Sequence, residues 1–202
     1  MKGINVIDRV ANRIACQMTD ENIISPELTE LYAYRLVIAV ETFLTTVTLL
    51  LLALTVHRFE LMAVLLISFA LLRSKTGGYH FDSYFGCFTG SVLLFSIVTM
   101  LIPYIELNIY LMITVALAGI MVMYMGFINH PNLNLNRDGI RKKKKEARIV
   151  AVTELGTMLT LWIVGIPDKV VSCIALAVIL DFLLMVFAKL KGQEVEPNGR
   201  KN

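Results

Sequence analysis

Apolar residues in this chain fall in long blocks separated by short polar breaks, with little strand-like alternation. The N-terminal stretch differs from the rest. Ile7, Val10, Ala11, Ile14 and Met18 recur at helical spacing, while Asn5, Asp8, Arg9, Asn12 and Arg13 lie largely elsewhere around the same helix. That pattern predicts an amphipathic, mildly basic helix over 3–18. Such a helix either rests on a membrane surface, where apolar burial and attraction to anionic lipid act together, or packs against the remaining helices. After a polar break, Ser25, Pro26 and Glu27 form a helix start: a capping hydroxyl, a proline in the first turn and an acid near the positive end. Six apolar segments follow, at about 36–56, 59–72, 88–102, 107–128, 149–166 and 170–188. The second is short for a span, which takes ~20 apolar residues, but snorkelling by Arg58 and by Arg73 or Lys75 lengthens it. The expected fold is all-α: a polytopic integral membrane protein of six transmembrane helices plus the N-terminal amphipathic helix, in one membrane domain over 1–202.

Composition agrees, since 56% hydrophobic and 17% charged residues are too apolar for an ordinary soluble domain. The net charge of +3 matters less than its placement. Of 19 Lys and Arg residues, all but Arg58 and Lys169 fall in one alternating set: the N-terminal segment with Arg35, the 73–84 loop, the basic 129–148 loop and the C-terminal tail. The positive-inside rule then places both termini and the 73–87 stretch on the cytoplasmic side of the cell membrane. The basic residues thus speak of orientation, and nucleic-acid binding has no support. No cleavable signal is expected, because polar residues interrupt Met1 to Met18 and leave no apolar core of adequate length. Cys16, Cys87 and Cys173 are dispersed and odd in number, which argues against a disulfide framework or a zinc site, and no metal is expected.

The densest chemistry lies between the second and third apolar segments, in Arg73-Ser-Lys-Thr-Gly-Gly-Tyr-His80-Phe-Asp-Ser-Tyr-Phe-Gly-Cys87. A thiol and an imidazole are the minimal pair for covalent acyl chemistry, the imidazole taking the thiol proton so that the thiolate attacks a carbonyl. Gly77 and Gly78 let backbone approach a ligand closely, and Arg73 and Lys75 favour a nearby thiolate. On an unbroken helix His80 and Cys87 share a face but stand ~10 Å apart, too far for proton transfer. The chain between them must therefore bend, with Asp82, Ser83 and Gly86 as breakers, and the third apolar helix is predicted to begin near Cys87, where a helix N-terminus favours thiolate. Asp82 either orients His80 or serves solvation and capping.

This stretch closely resembles the signature of the AgrB family, the accessory gene regulator peptidases that process quorum-sensing pro-peptides. Arg73, Gly78, His80 and Cys87 stand in the family's order and spacing, and length, the six apolar segments and the basic stretch extend the likeness over most of the chain. The resemblance implies Cys87 as nucleophile, His80 as its base, and Arg73 and Gly78 as supporting residues. It implies an AgrD-like pro-peptide as substrate, with an acidic C-terminal tail that is cleaved off, and a thioester intermediate intercepted by a substrate thiol or hydroxyl to give a cyclic thiolactone or lactone. No cofactor is needed, because thioester exchange conserves bond type. A homodimer is also implied.

Two further groups stand out. Glu41, Glu154 and Asp181 lie inside apolar segments, each six to eight residues from the charged flanks Arg35, Arg148 and Lys189. Intramembrane acids usually face a bundle interior or a wet cavity, so these either line a polar vestibule ending at Cys87 or bond internally to Thr and Ser. The run Lys142, Lys143, Lys144 and Lys145 serves topology and anionic lipid by default; with the resemblance, it also captures an acidic substrate tail. The rival functions are a small transporter relaying protons through the intramembrane acids and a non-enzymatic membrane adaptor.

Overall fold

The computed structural model describes residues 6–79, 81, 83–129 and 135–195. Seven α-helices account for most of them: α1 (Val6–Asp20), α2 (Thr29–Thr55), α3 (Phe59–Thr76), α4 (Tyr84–Leu101), α5 (Ile109–Met125), α6 (Arg137–Val164) and α7 (Asp168–Leu190). Short 3-10 turns occupy Pro26–Leu28 and Ile102–Tyr104, each with a proline at its start. Among the described residues there is no strand.

Local chemistry accounts for where these helices stop. At the end of α1, Asn22 takes a left-handed conformation, with φ of 57°, and the amides of Asn22 and Ile23 reach back to the carbonyls of Thr19 and Met18. His57 does the same after α2, with φ of 54° and amide bonds from His57 to Leu54 and from Arg58 to Ala53. This paired pattern satisfies carbonyls that a helix end leaves open. Starts are capped by side chains. Ser83 accepts from the Gly86 amide, Asn108 from Leu111 and Asn136 from Gly139, at the heads of α4, α5 and α6.

The chain forms two compact units, Met1–Thr48 and Leu49–Asn202. Within the first, the hydroxyls of Thr19 and Thr29 lie 2.7 Å apart and tie the end of α1 to the start of α2. The second unit is built around α7. Five consecutive residues of that helix, Val171 to Ala175, are buried, which requires neighbours on every side, and α3, α5 and α6 supply them. Leu72, Val115, Val122, Ile128, Val178 and Met185 fill one core; Leu49, Met62, Leu65, Phe95, Ile102 and Cys173 fill another. Phe69 meets Phe95 edge to face at 4.9 Å. The outward faces remain apolar: Phe43, Ile67, Leu93, Ile113, Leu117 and Ile163 are all exposed, the arrangement of helices solvated by lipid.

Four helical stretches are long and apolar enough to cross a bilayer: Pro26–Thr55, Phe85–Tyr104, Arg137–Val164 and Asp168–Leu190. α5 is equally apolar but only 17 residues long, with Tyr110 and Tyr124 exposed near its ends. α3 has 18 residues and carries Arg73 and Lys75 in its last turn, where cations complement the helix dipole. The polar connections are shorter than the sequence suggests. Residues 73–76 belong to α3 and 84–87 to α4, which leaves only 77–83 between them. The stretch 129–148, expected as a loop, is helical from Arg137 onward. Asn136 caps it, Asp138 sits in its first turn, and Lys143 pairs with Glu146 one turn on at 3.6 Å, so the like charges of the basic run are partly offset.

Leu72→Ala is expected to cost about 2–5 kcal/mol, as for other fully buried leucines, whereas Leu71→Ala, at a neighbouring position 53% exposed, should leave the midpoint nearly unchanged. Thermal unfolding in detergent micelles compares the two, and equal midpoints would contradict the packing described.

Candidate active site

The candidate site lies where α3 breaks and α4 begins. Gly77 ends α3 with φ of +68°, its amide bonded to the Arg73 carbonyl at 3.2 Å, and Gly78 follows with φ of +125°. Space as well as conformation requires glycine here. A Cβ at Gly77 would stand 2.8 Å from the Ile128 carbonyl oxygen, and one at Gly78 would stand 1.9 Å from Arg73 Nη1. The Arg73 side chain folds over the turn that follows it, Nη1 donating to the Gly77 carbonyl and Nη2 to the Tyr79 carbonyl.

Two other segments hold the same turn. The Ile128 amide donates to the Thr76 carbonyl at 2.8 Å. On α7, Asp181 Oδ1 accepts from the Thr76 hydroxyl at 3.0 Å, the Leu184 carbonyl accepts from the Tyr79 amide at 3.3 Å, and Phe187 meets the Tyr79 ring edge to face at 4.6 Å. Residues 181, 184 and 187 are three apart and share one helix face, so α7 grips the turn at three successive points.

Cys87 is the fourth residue of α4, half-buried and in no disulfide, its amide bonded to the Ser83 carbonyl at 3.0 Å. Ser83, one of the anticipated breakers, is the N-cap; Gly86 lies inside the first turn. The helix start anticipated near Cys87 is at Tyr84. Phe81 packs back on that turn, its ring 3.3 Å from where a Cβ of Gly86 would stand and 2.9 Å from one at Gly90. Tyr79 and Phe81 are themselves in edge-to-face contact at 5.0 Å. His80 and Asp82 lie outside the described residues.

The flanking charges have structural partners. Lys75, expected beside a thiolate, donates to Glu146 on α6 at 3.2 Å, and Arg73 serves the backbone of the turn. Glu154 and Asp181 face the interior, 6% and 0% exposed. Both oxygens of Glu154 and Oδ2 of Asp181 have no hydrogen-bond partner among the described residues. Glu41 belongs to the first unit and is half-buried there. Cys173 is fully buried in the core, whereas Cys16 is exposed on α1.

The basic run forms a surface of its own. Arg137, Arg141, Lys142, Lys144, Lys145 and Arg148, with Asp138 and Ile140, line an open cavity of about 730 Å³ along the first half of α6. Lys143 turns away to Glu146. Sequence reading did not single out Thr76, Ile128, Leu184 or Phe187. The one available signal was a threonine directly before two glycines at the end of an apolar helix.

An all-helical chain with several bilayer-length helices, and a cysteine at the head of one of them beside a glycine turn, defines a class of helical membrane proteins with a polar site between spans. Within that class the family is specific. Residues 7–187 match the AgrB family, accessory gene regulator B, and the chain belongs to it. Membership suggests a role in the accessory gene regulator system, a family associated with peptidase activity and with AgrD-like substrates. A curated relative, "Putative AgrB-like protein 1" of Clostridium perfringens (strain 13 / Type A), is 22% identical over 169 residues, covering 83% of this chain and 89% of the relative. No solved structure matches.

Thr76→Val keeps the shape of the side chain but leaves Asp181 facing a methyl group, and an unmade buried hydrogen bond costs about 1–3 kcal/mol. A lower unfolding midpoint for Thr76→Val, restored by Thr76→Ser, is expected; equal midpoints for all three proteins would remove the Thr76–Asp181 bond as a fastening of the turn.

Proposed function

We propose that this protein is a membrane-embedded cysteine endopeptidase that removes the C-terminal tail of an AgrD-like pro-peptide and cyclises the remainder. Cys87 is the nucleophile and His80 the base. The observation that carries this reading is the fold-back at the head of α4: Phe81, next in sequence to His80, packs against Gly86, next in sequence to Cys87. A seven-residue separation that would keep the pair ~10 Å apart on a straight helix is here interrupted by the turn and the Ser83 cap. The position of Cys87 in the first turns of α4 also favours its thiolate.

In the reaction, His80 accepts the Cys87 proton and the thiolate attacks the carbonyl carbon at the junction between signal segment and tail. The tetrahedral adduct collapses, the C–N bond breaks, and His80 returns the proton to the departing amine. The acyl group remains on Cys87 as a thioester. A substrate thiol then attacks that thioester, giving a thiolactone and releasing the Cys87 thiol; a substrate hydroxyl gives a lactone. Arg73 and Gly78 keep the turn in shape, and Asp181 acts through Thr76 on the same turn, a different part from lining a substrate path.

All six helices from α2 to α7 cross the membrane in this reading, α3 and α5 included, with both termini and the site on the cytoplasmic side. The charge distribution supports it, because Arg73, Lys75 and the basic face of α6 then share one side. That face, with Lys142, Lys144 and Lys145 on its cavity wall, attracts the acidic tail of the substrate.

Co-expression with the candidate pro-peptide, read by mass spectrometry, tests the chemistry. Cleaved tail and cyclic product are expected from the unaltered protein and from Glu154→Gln, and neither from Cys87→Ala nor His80→Ala. Unchanged processing in either of the last two refutes the role given to that residue; a transporter would instead move its substrate with Cys87→Ala and fail to with Glu154→Gln. Reversing the charge of Lys142, Lys144 and Lys145 should raise the apparent binding constant for pro-peptide more than it lowers the turnover rate, and the wild-type affinity should fall as salt rises; kinetics indifferent to both would remove the charge capture.

A further inference from the structure

Near the turn lies a second groove, lined by Phe127, Asn129, Ile140, Lys144 and Lys189; the chain's own Gly192, Glu194 and Val195 are seated along it and leave about 490 Å³ open beside them. It adjoins the basic cavity, since Ile140 and Lys144 line both. It also adjoins the candidate site, because Ile128, the neighbour of Asn129, holds the Thr76 carbonyl.

The way the C-terminal segment sits here is specific. Asn129 is only 2% exposed, yet it bonds Val195 twice: its carbonyl accepts the Val195 amide at 2.9 Å, and its side-chain Nδ2 donates to the Val195 carbonyl at 3.1 Å. Recognition through both backbone groups of one residue suits any extended chain, as in strand addition. The Asn129 amide is itself braced, Oδ1 accepting from the Leu135 amide at 3.3 Å. Beside this backbone clamp, Glu194 pairs with Lys189 at 3.3 Å, so the seated segment brings a carboxylate to a cationic wall. Lys144, which also lines the groove, forms no ion pair among the described residues. The groove therefore combines a sequence-independent backbone clamp with two cations, of which Glu194 pairs with Lys189.

We propose that this groove is a docking site for an extended acidic peptide segment, and that the chain's own Gly192–Val195 segment occupies it as a built-in competitor. The inference rests on the reading that the basic face of α6 receives an acidic substrate tail, and adds to it a resident occupant. Val195 is tied to Asn129 by two hydrogen bonds and Glu194 to Lys189 by one partly exposed ion pair, the last of little weight in water, so this end of the segment can lift while the amides of Gly192 and Gln193 stay bonded to the end of α7. An incoming segment with more carboxylates meets Lys144 as well as Lys189 and displaces it.

Binding to the full chain carrying Cys87→Ala, in nanodiscs of zwitterionic lipid, tests this without turnover. The probe is a fluorescent extended peptide bearing three glutamates, with a glutamine twin as control. Val195→Pro removes the amide that Asn129 accepts, and Glu194→Gln removes the partner of Lys189. Each should tighten the glutamate peptide by about threefold to tenfold, in keeping with the loss of one or two weak competing contacts, with the glutamine twin the weaker ligand in every variant. Adding Asn129→Ala to Val195→Pro should abolish the gain. Unchanged affinity in both single variants, or a glutamine twin that binds as tightly as the glutamate peptide, overturns the proposal. So does a gain in binding to anionic vesicles with none for the peptide, which assigns the surface to lipid. Failure here leaves processing by Cys87 and His80 standing, and failure of processing in those variants leaves a measured peptide gain standing.

Discussion

The guanidinium of Arg73 folded over the carbonyls of Gly77 and Tyr79 is the contact on which the arrangement of the site depends. Between two apolar helices the chain leaves helical geometry, and each buried amide and carbonyl so released needs a partner. A charged donor with several N–H groups answers two carbonyls at once. The Ile128 amide answers a third and the Leu184 carbonyl takes the Tyr79 amide. The break is thus held in one shape, and α4 starts in a fixed place with Cys87 in its fourth position.

The helix that does most of this holding is also the centre of the core. α7 buries Val171, Val178 and Met185 among its neighbours and turns Asp181, Leu184 and Phe187 toward the turn. Packing and site geometry are therefore not separate properties of the second unit. A substitution that shifts α7 by a fraction of a turn moves the anchors of the turn with it, so defects in the core reach the site without any contact to it.

Much of the secondary structure is legible in the sequence. The block pattern of apolar residues marks the middle of each helix, and the break at Ser83 marks the head of α4 to within one turn. Those signals are local, and local chemistry dictates them. The reach of α6 back to Arg137 was not legible, because a run of like charges reads as a solvated loop until Asn136, Asp138 and the Lys143–Glu146 pair are weighed together. The site divides in the same way. Cys87, Arg73 and Gly78 announce themselves by type and spacing, whereas Thr76, Ile128, Leu184 and Asn129 act through backbone groups or contacts 50 or more residues away. Side-chain identity carries no mark of such pairings. The intramembrane acid Asp181 was visible, but its partner was not, since many hydroxyls lie at comparable depth along the other helices.

In the proposed six-span topology, α5 imposes a condition on the lipid around it. At 17 residues it measures about 25 Å along its axis at the usual helical rise, against a hydrocarbon layer of roughly 30 Å. The exposed rings of Tyr110 and Tyr124 stand near its two ends, where such rings settle at the water boundary. Acyl chains beside this helix must contract to meet it, at a cost of a fraction of a kcal/mol for each ångström of mismatch. Bilayers of shorter-chain lipid relieve that compression, so in that topology membrane thickness is itself a variable on which the stability of the protein depends.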